Sequence, residues 1–249
     1  MDRVQHFGFG SRPRDPNQGR NSRREFMNVP EEYVPIVSDR SFAASGQARG
    51  AGSAPYDPWN TGANIPEHNS TNLFILGVPQ GTTVEQFLAQ IRGYGRIYQF
   101  HMMSPTGKPG EEDNAVAMAF FELEATKRFL ADAEGKGFYI NNRKTRVMMN
   151  RRRIPDNSYT QGSRCLIIQG SPDRCNEESL LNYFRSKTRF EIDKVRYRII
   201  SARHNKVEIR FAQFYEQADT AMRALARERP DGITRVDYGP DPCAHTNVV

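Results

Sequence analysis

The chain has 249 residues, 37% of them hydrophobic, with a mean hydropathy of −0.71 and a formal charge of +6. That apolar content is low for one compact globule, which favours two small domains plus a stretch outside any core. No apolar run nears the ~20 residues needed to span a bilayer, and the Arg-bearing start lacks the apolar core of a secretory signal. Cys165, Cys175 and Cys243 suit neither a zinc nor a disulfide framework, so a soluble intracellular protein is expected.

Residues 1–70 are rich in Gly, Ser, Pro, Asn and Arg, carry eight basic and eight acidic side chains, and hold no sustained period of 2 or 3.6. They are expected to form a disordered tail, because they cannot bury enough apolar surface to offset their ordering entropy. Two apolar islands, 33–37 (YVPIV) and 56–59 (YDPW), make residues 30–60 a candidate segment for docking a protein partner.

At Asn72 the texture changes. Residues 73–79 (LFILGVP) read as a short strand closed by Gly and Pro. Thr83-Val84-Glu85-Gln86 has the form of a capping box, and Val84, Phe87, Leu88 and Ile91 follow at helical spacing. Residues 97–103 predict a second strand, 104–110 a long mobile loop and 114–121 a third strand. Ala125, Phe129, Leu130 and Ala133 mark a helix that stops at Gly135, and 145–150 supplies a last strand.

The same order returns. Residues 166–172 (LIIQGSP) mirror the first strand and its exit, Asn176 can cap a helix bearing Leu180, Leu181 and Phe184, and 195–201 and 206–211 read as strands. Ala218, Ala221, Met222 and Leu225 give a second helix, and 233–238 a final strand. First-strand Leu to third-strand Phe spans 48 residues in one copy and 45 in the other, which makes two βαββαβ units the economical reading. The expected organisation is a tail (1–70), a domain (71–150), a basic linker (151–162), a second domain (163–240) and a C-terminal tail (241–249).

Residues 140–210 hold 17 Lys and Arg against 7 Asp and Glu, so the whole positive field sits there. Arg143 and Lys144 stand just before the last strand of the first unit and Arg146 on it, and Arg151, Arg152 and Arg153 follow in the linker. Such a cluster suits phosphates, and is also compatible with a nuclear import signal.

The chain resembles the RNA-recognition-motif family over 71–150 and 163–240. Residues 73–78 (LFILGV) match the family's first-strand hexamer at nearly every place, with Phe74 at the aromatic position that stacks a base. The resemblance implies an α+β fold of two ferredoxin-like sandwiches, each a four-stranded antiparallel sheet backed by two helices, with single-stranded RNA on the open sheet face. The third-strand octamer, aligned as 114–121 (NAVAMAFF), sets Val116 and Met118 in the two other stacking places, and Tyr98, Phe100 and Phe120 are candidates to share that load. In the second copy Ile167 stands where Phe74 stands in the first, and Lys206 and Glu208 take the stacking places. A charged face is expected there, with Lys206, Arg210, Arg196 and Arg198 holding phosphates without reading sequence. The competing reading is a protein-interaction module that uses these domains to bind peptides.

No phosphate-binding loop, nucleophile elbow or metal-ligand spacing is present, and neither the catalytic features of acyl-phosphate hydrolases nor the CxxC of metal chaperones, both of which share this fold, can be found. No enzymatic activity, cofactor or metal is expected. The reading is a nuclear or cytoplasmic RNA-binding protein, with the nucleus favoured.

Overall fold

The computed structural model describes residues 64–107 and 112–245. The islands at 33–37 and 56–59 lie outside the described residues, as does part of the loop at 104–110.

In the first domain β1 (Asn72–Val78), β2 (Ile97–Met103), β3 (Asn114–Phe120), β4 (Phe138–Ile140) and β5 (Arg143–Met149) form an antiparallel sheet in the order β2-β3-β1-β5-β4. Helices α1 (Val84–Ala89) and α2 (Leu123–Gly135) close one face. Thr83 and Gln86 form the expected capping box at α1, each side chain bonding the other's backbone N–H. Phe87, Leu88, Ile91, Ala125 and Phe129 bury themselves against Leu73, Ile75, Val116, Met118 and Phe120. β4 is an extra short strand. Asn141 and Asn142 join it to β5, both at positive φ (48° and 64°), as a tight two-residue hairpin requires.

The second domain repeats the plan. β6 (Cys165–Gly170), β7 (Ile192–Ser201), β8 (His204–Phe211) and β9 (Ile233–Tyr238) run in the order β7-β8-β6-β9. Asn176 caps α3 (Glu177–Arg185) through the Ser179 N–H, and α4 (Asp219–Glu228) follows an irregular turn, Phe214–Ala218, in which Glu216 takes φ 63°. Leu180, Phe184, Ala221, Met222 and Leu225 meet Leu166, Ile168, Val207, Ile209 and Val236 in a second core. Each half therefore has the sheet order and helical backing of the βαββαβ fold.

The linker is ordered by the first domain. Thr71 donates its N–H to the Ile154 carbonyl at 2.8 Å, Asn157 donates to Phe121 at 2.8 Å, and the Asp156 carboxylate accepts from the Leu123 N–H at the start of α2. Arg96 lies 4.2 Å over the Phe121 ring, pairs with Glu122 and donates to the carbonyls of Thr160 and Gly162.

The domains also share a third apolar cluster. Tyr98, Ala119 and Phe121 of the first domain and Ile154 of the linker pack with Phe214, next to Tyr215 and Tyr238. Gly162 permits this approach, since a Cβ there would sit 2.1 Å from the Phe214 ring.

A buried ionic knot also joins the two domains. Arg164 donates to Asp241 at 2.9 Å, to Asp193 at 2.8 Å and to the Phe211 carbonyl at 2.8 Å, and all three ionic side chains are at most 3% exposed. Asp241 in turn accepts the backbone N–H of Ile97 on the outer strand of the first sheet. The Gly95 N–H donates to the Cys243 carbonyl and His245 Nδ1 lies 2.9 Å from the Gly93 carbonyl. The segment from Asp241 to His245, expected as a tail, is thus a strap docked on the first domain.

Candidate nucleic-acid interface

Cross-strand register decides which side chains share the open face of the first sheet. Phe74 pairs with Ala117 on one side and Met148 on the other, while Leu73 pairs with Met118 and Ile75 with Val116. Because side chains alternate along a strand, Phe74, Ala115, Ala117 and Met148 point away from the helices, and Val116, Met118 and Phe120 point toward them. Val116, Met118 and Phe120 are 0% exposed.

Three of the expected stacking residues are therefore core residues. The octamer begins at Asp113 rather than Asn114, and a shift of one residue moves every side chain to the other face. Its two stacking places hold Ala115 and Ala117. Phe100 is likewise in the core, 2% exposed, with its ring 5.4 Å from that of Phe87. Tyr98 does face outward, but it lies in the cluster between the domains, 5.5 Å from Tyr215 and 6.1 Å from Phe214. None of these five can lie under a base in this structure.

Half of the open face is covered. Ala119 is buried in the interdomain cluster, and Asn72 is buried and donates to the Arg152 carbonyl. The uncovered half carries Phe74, half-buried, with Leu76 at 37% exposure and His101, Met103, Ala115, Ala117, Arg146 and Met148 around it. Leu76, His101, Met103 and Met148 were absent from the sequence-based set. Strand alternation alone places Leu76 with Phe74, but the others depend on register.

The basic residues divide into engaged and unengaged. Arg143 is held by a two-pronged pair with Asp113, and Arg153 by the Ile65 carbonyl at 2.5 Å and by Glu67 at 3.7 Å. Lys144, Arg146, Arg151 and Arg152 are exposed, and no ion pair engages them among the described residues. Lys144 and Arg146 share the outward side of β5 with Met148, so cations border the Phe74 surface directly.

On the second sheet Arg196, Arg198, Lys206 and Arg210 do share the open face, since Arg196 pairs with Glu208 and Arg198 with Lys206 across the strands. Glu208 sits among them. It takes Arg210 at 2.6 Å and Arg196 at 4.0 Å, and Arg210 is buried. Lys194, next on that face, reaches across the domain boundary to Glu85 of α1 at 2.7 Å, and its hydrogen bond holds the Glu85 carboxyl below the usual carboxylate range. Beyond β9 the Gly239 N–H donates to the Cys165 carbonyl at 2.8 Å, which continues the pairing alongside β6 by one residue. Arg198 and Lys206 remain without an ion-pair partner among the described residues.

No metal-binding group of His, Cys, Asp or Glu occurs among the described residues, and no described helix is long and apolar enough to cross a membrane.

No family model and no curated protein matches the sequence. Among solved structures the chain is similar to the RNA recognition domains 1 and 2 of Drosophila melanogaster Sex-lethal, at 19% identity and a TM-score of 0.26, covering 68% of this chain and 99% of that one. It is also similar to the first two RRM domains of the yeast poly(U) binding protein, at 12% identity and a TM-score of 0.28 over 68% and 99% of the chains. The N-terminal three RNA binding domains of the yeast splicing factor Prp24 match at 10% identity and a TM-score of 0.30, over 68% and 64%. None of these likenesses is close enough to transfer a site. The sheet order and helix placement within each domain are those of a βαββαβ ferredoxin-like sandwich, here in tandem.

Proposed function

We propose that this protein binds single-stranded RNA on the uncovered half of the first sheet, with Phe74 stacking one base. The observation that carries this reading is Phe74 itself, an aromatic left half-buried on an open sheet face, beside Met148 and the unengaged cations Arg146 and Lys144. Phosphates running off that face meet Arg151 and Arg152 at the strand exit, and Arg196, Arg198 and Lys206 offer further backbone contacts on the second domain. With alanines in the other stacking places, one aromatic supplies the stacking, and such a contact is worth about 1–3 kcal/mol per base.

Binding of the intact protein to a randomised single-stranded RNA pool, at two salt concentrations, tests the reading. Phe74→Ala is expected to weaken binding by about 5- to 150-fold, the range that corresponds to one lost stack. Replacing both Arg151 and Arg152 by Ala should lower the salt slope by up to ~1.4, at about 0.7 per single-strand phosphate contact. Ala117→Phe, which places a second ring beside Phe74, should tighten binding. Unchanged affinity in Phe74→Ala refutes base stacking there, and an absence of retained RNA near physiological salt favours a peptide-binding module instead.

A further inference from the structure

We propose that the outer edge of β7 receives an extended peptide of alternating apolar and acidic residues as an added strand. β7 is the longest strand of either sheet and stands at the edge of the second one. Residues 196–203 are exposed without interruption. Among the described residues no hydrogen bond reaches the backbone of 195–200 from outside the β7–β8 ladder. A row of open N–H and C=O groups is a template for another strand.

The side chains specify which strand. Arg196 and Arg198 point to the open-face side, where Arg198 has no ion-pair partner among the described residues and Arg196 reaches Glu208 only at 4.0 Å. Tyr197 and Ile199 point to the opposite side, 49% and 67% exposed, followed by Ile200 at 51%. Charged side chains often guard edge strands against self-pairing. Here the guard covers one side only, and the other presents apolar surface to water. A strand that answers both sides carries Asp or Glu opposite the arginines and Val, Ile or an aromatic opposite Tyr197 and Ile199.

A second copy of this chain answers poorly, because antiparallel pairing of two β7 edges sets Arg196 and Arg198 against their own kind, and like charges directly opposite are destabilising. RNA would use the cations and leave Tyr197 and Ile199 wet.

The test uses the intact protein, a fluorescent seven-residue peptide alternating Val and Glu, and a matched peptide alternating Val and Lys, with amide exchange measured over β7. The Val/Glu peptide is expected to bind, to slow exchange of alternate amides in 195–200 at least tenfold, and to be bound equally by Phe74→Ala. The Val/Lys peptide should not bind. The Arg196→Glu/Arg198→Glu variant should reverse that preference, with circular dichroism confirming its fold. Equal binding of both peptides, unaltered exchange in 195–200, or protection of those amides by poly(U) in place of the peptide overturns the proposal.

Discussion

Asp241→Ala should loosen the two domains from each other. The carboxylate is fully buried and accepts three donors, namely Arg164 Nε at 2.9 Å, the Ile97 N–H at 2.9 Å and the Cys243 N–H at 3.0 Å. Arg164 keeps Asp193 and the Phe211 carbonyl, both from the second domain, but the bond from the Ile97 amide of the first sheet is lost. Breaking a buried ion pair from one side costs about 3–5 kcal/mol, because the remaining charge and the two amides stay desolvated. Part of this cost can be relieved by releasing the strap, so the observable should be local opening together with a lower urea midpoint. Amide exchange at Ile97 and Gly95 should accelerate by orders of magnitude relative to the core of either domain. Asp237→Ala, which removes a pair with Arg235 at the surface, is the control and should cost under about 1 kcal/mol. A loss below that level in Asp241→Ala, with protection at Ile97 unchanged, would refute the assignment of the knot as a domain fastener.

Met118→Ala should destabilise the first domain by about 2–5 kcal/mol, as a buried Met truncation does, while Phe74→Ala leaves stability nearly unchanged; chemical denaturation of both variants checks the contrast. Cys165, Cys175 and Cys243 should resist alkylation in the native protein at pH 8. Burial pushes their thiols up to about 12, 11 and 12, so almost no thiolate is present at that pH, and the groups are 0% exposed. All three should label on unfolding, and Cys243 should label early in Asp241→Ala; rapid native labelling would contradict the buried strap.

Much of the fold follows from local chemistry. The Leu73–Ile75 and Leu166–Ile168 alternation, the capping box at Thr83, the Asn176 cap and the helical spacing of Phe87, Leu88 and Ile91 each fix an element without reference to the rest of the chain. Their repetition in order then gives two βαββαβ units. The position of Phe74 followed the same way, since a strand with Leu73 and Ile75 inward must turn Phe74 outward.

The rest of the site depended on pairing between distant segments. In 113–121 nearly every residue is apolar, so both frames of alternation look alike from the sequence, and only pairing with β1 and β2 sent Met118 inward and left Ala115 and Ala117 outside. Arg143 and Arg210 were indistinguishable by sequence from Arg146 and Arg198, yet Asp113 and Glu208 engage the first two. The sequence of residues 241–245 carries no periodicity, and its role as a strap arises because Arg164, Asp193 and the Ile97 amide converge on one buried point. Local composition determined the elements and the inward face of most of them; which half of the first sheet stays open was decided by tertiary contacts, because covering it takes residues of the linker and of the other domain.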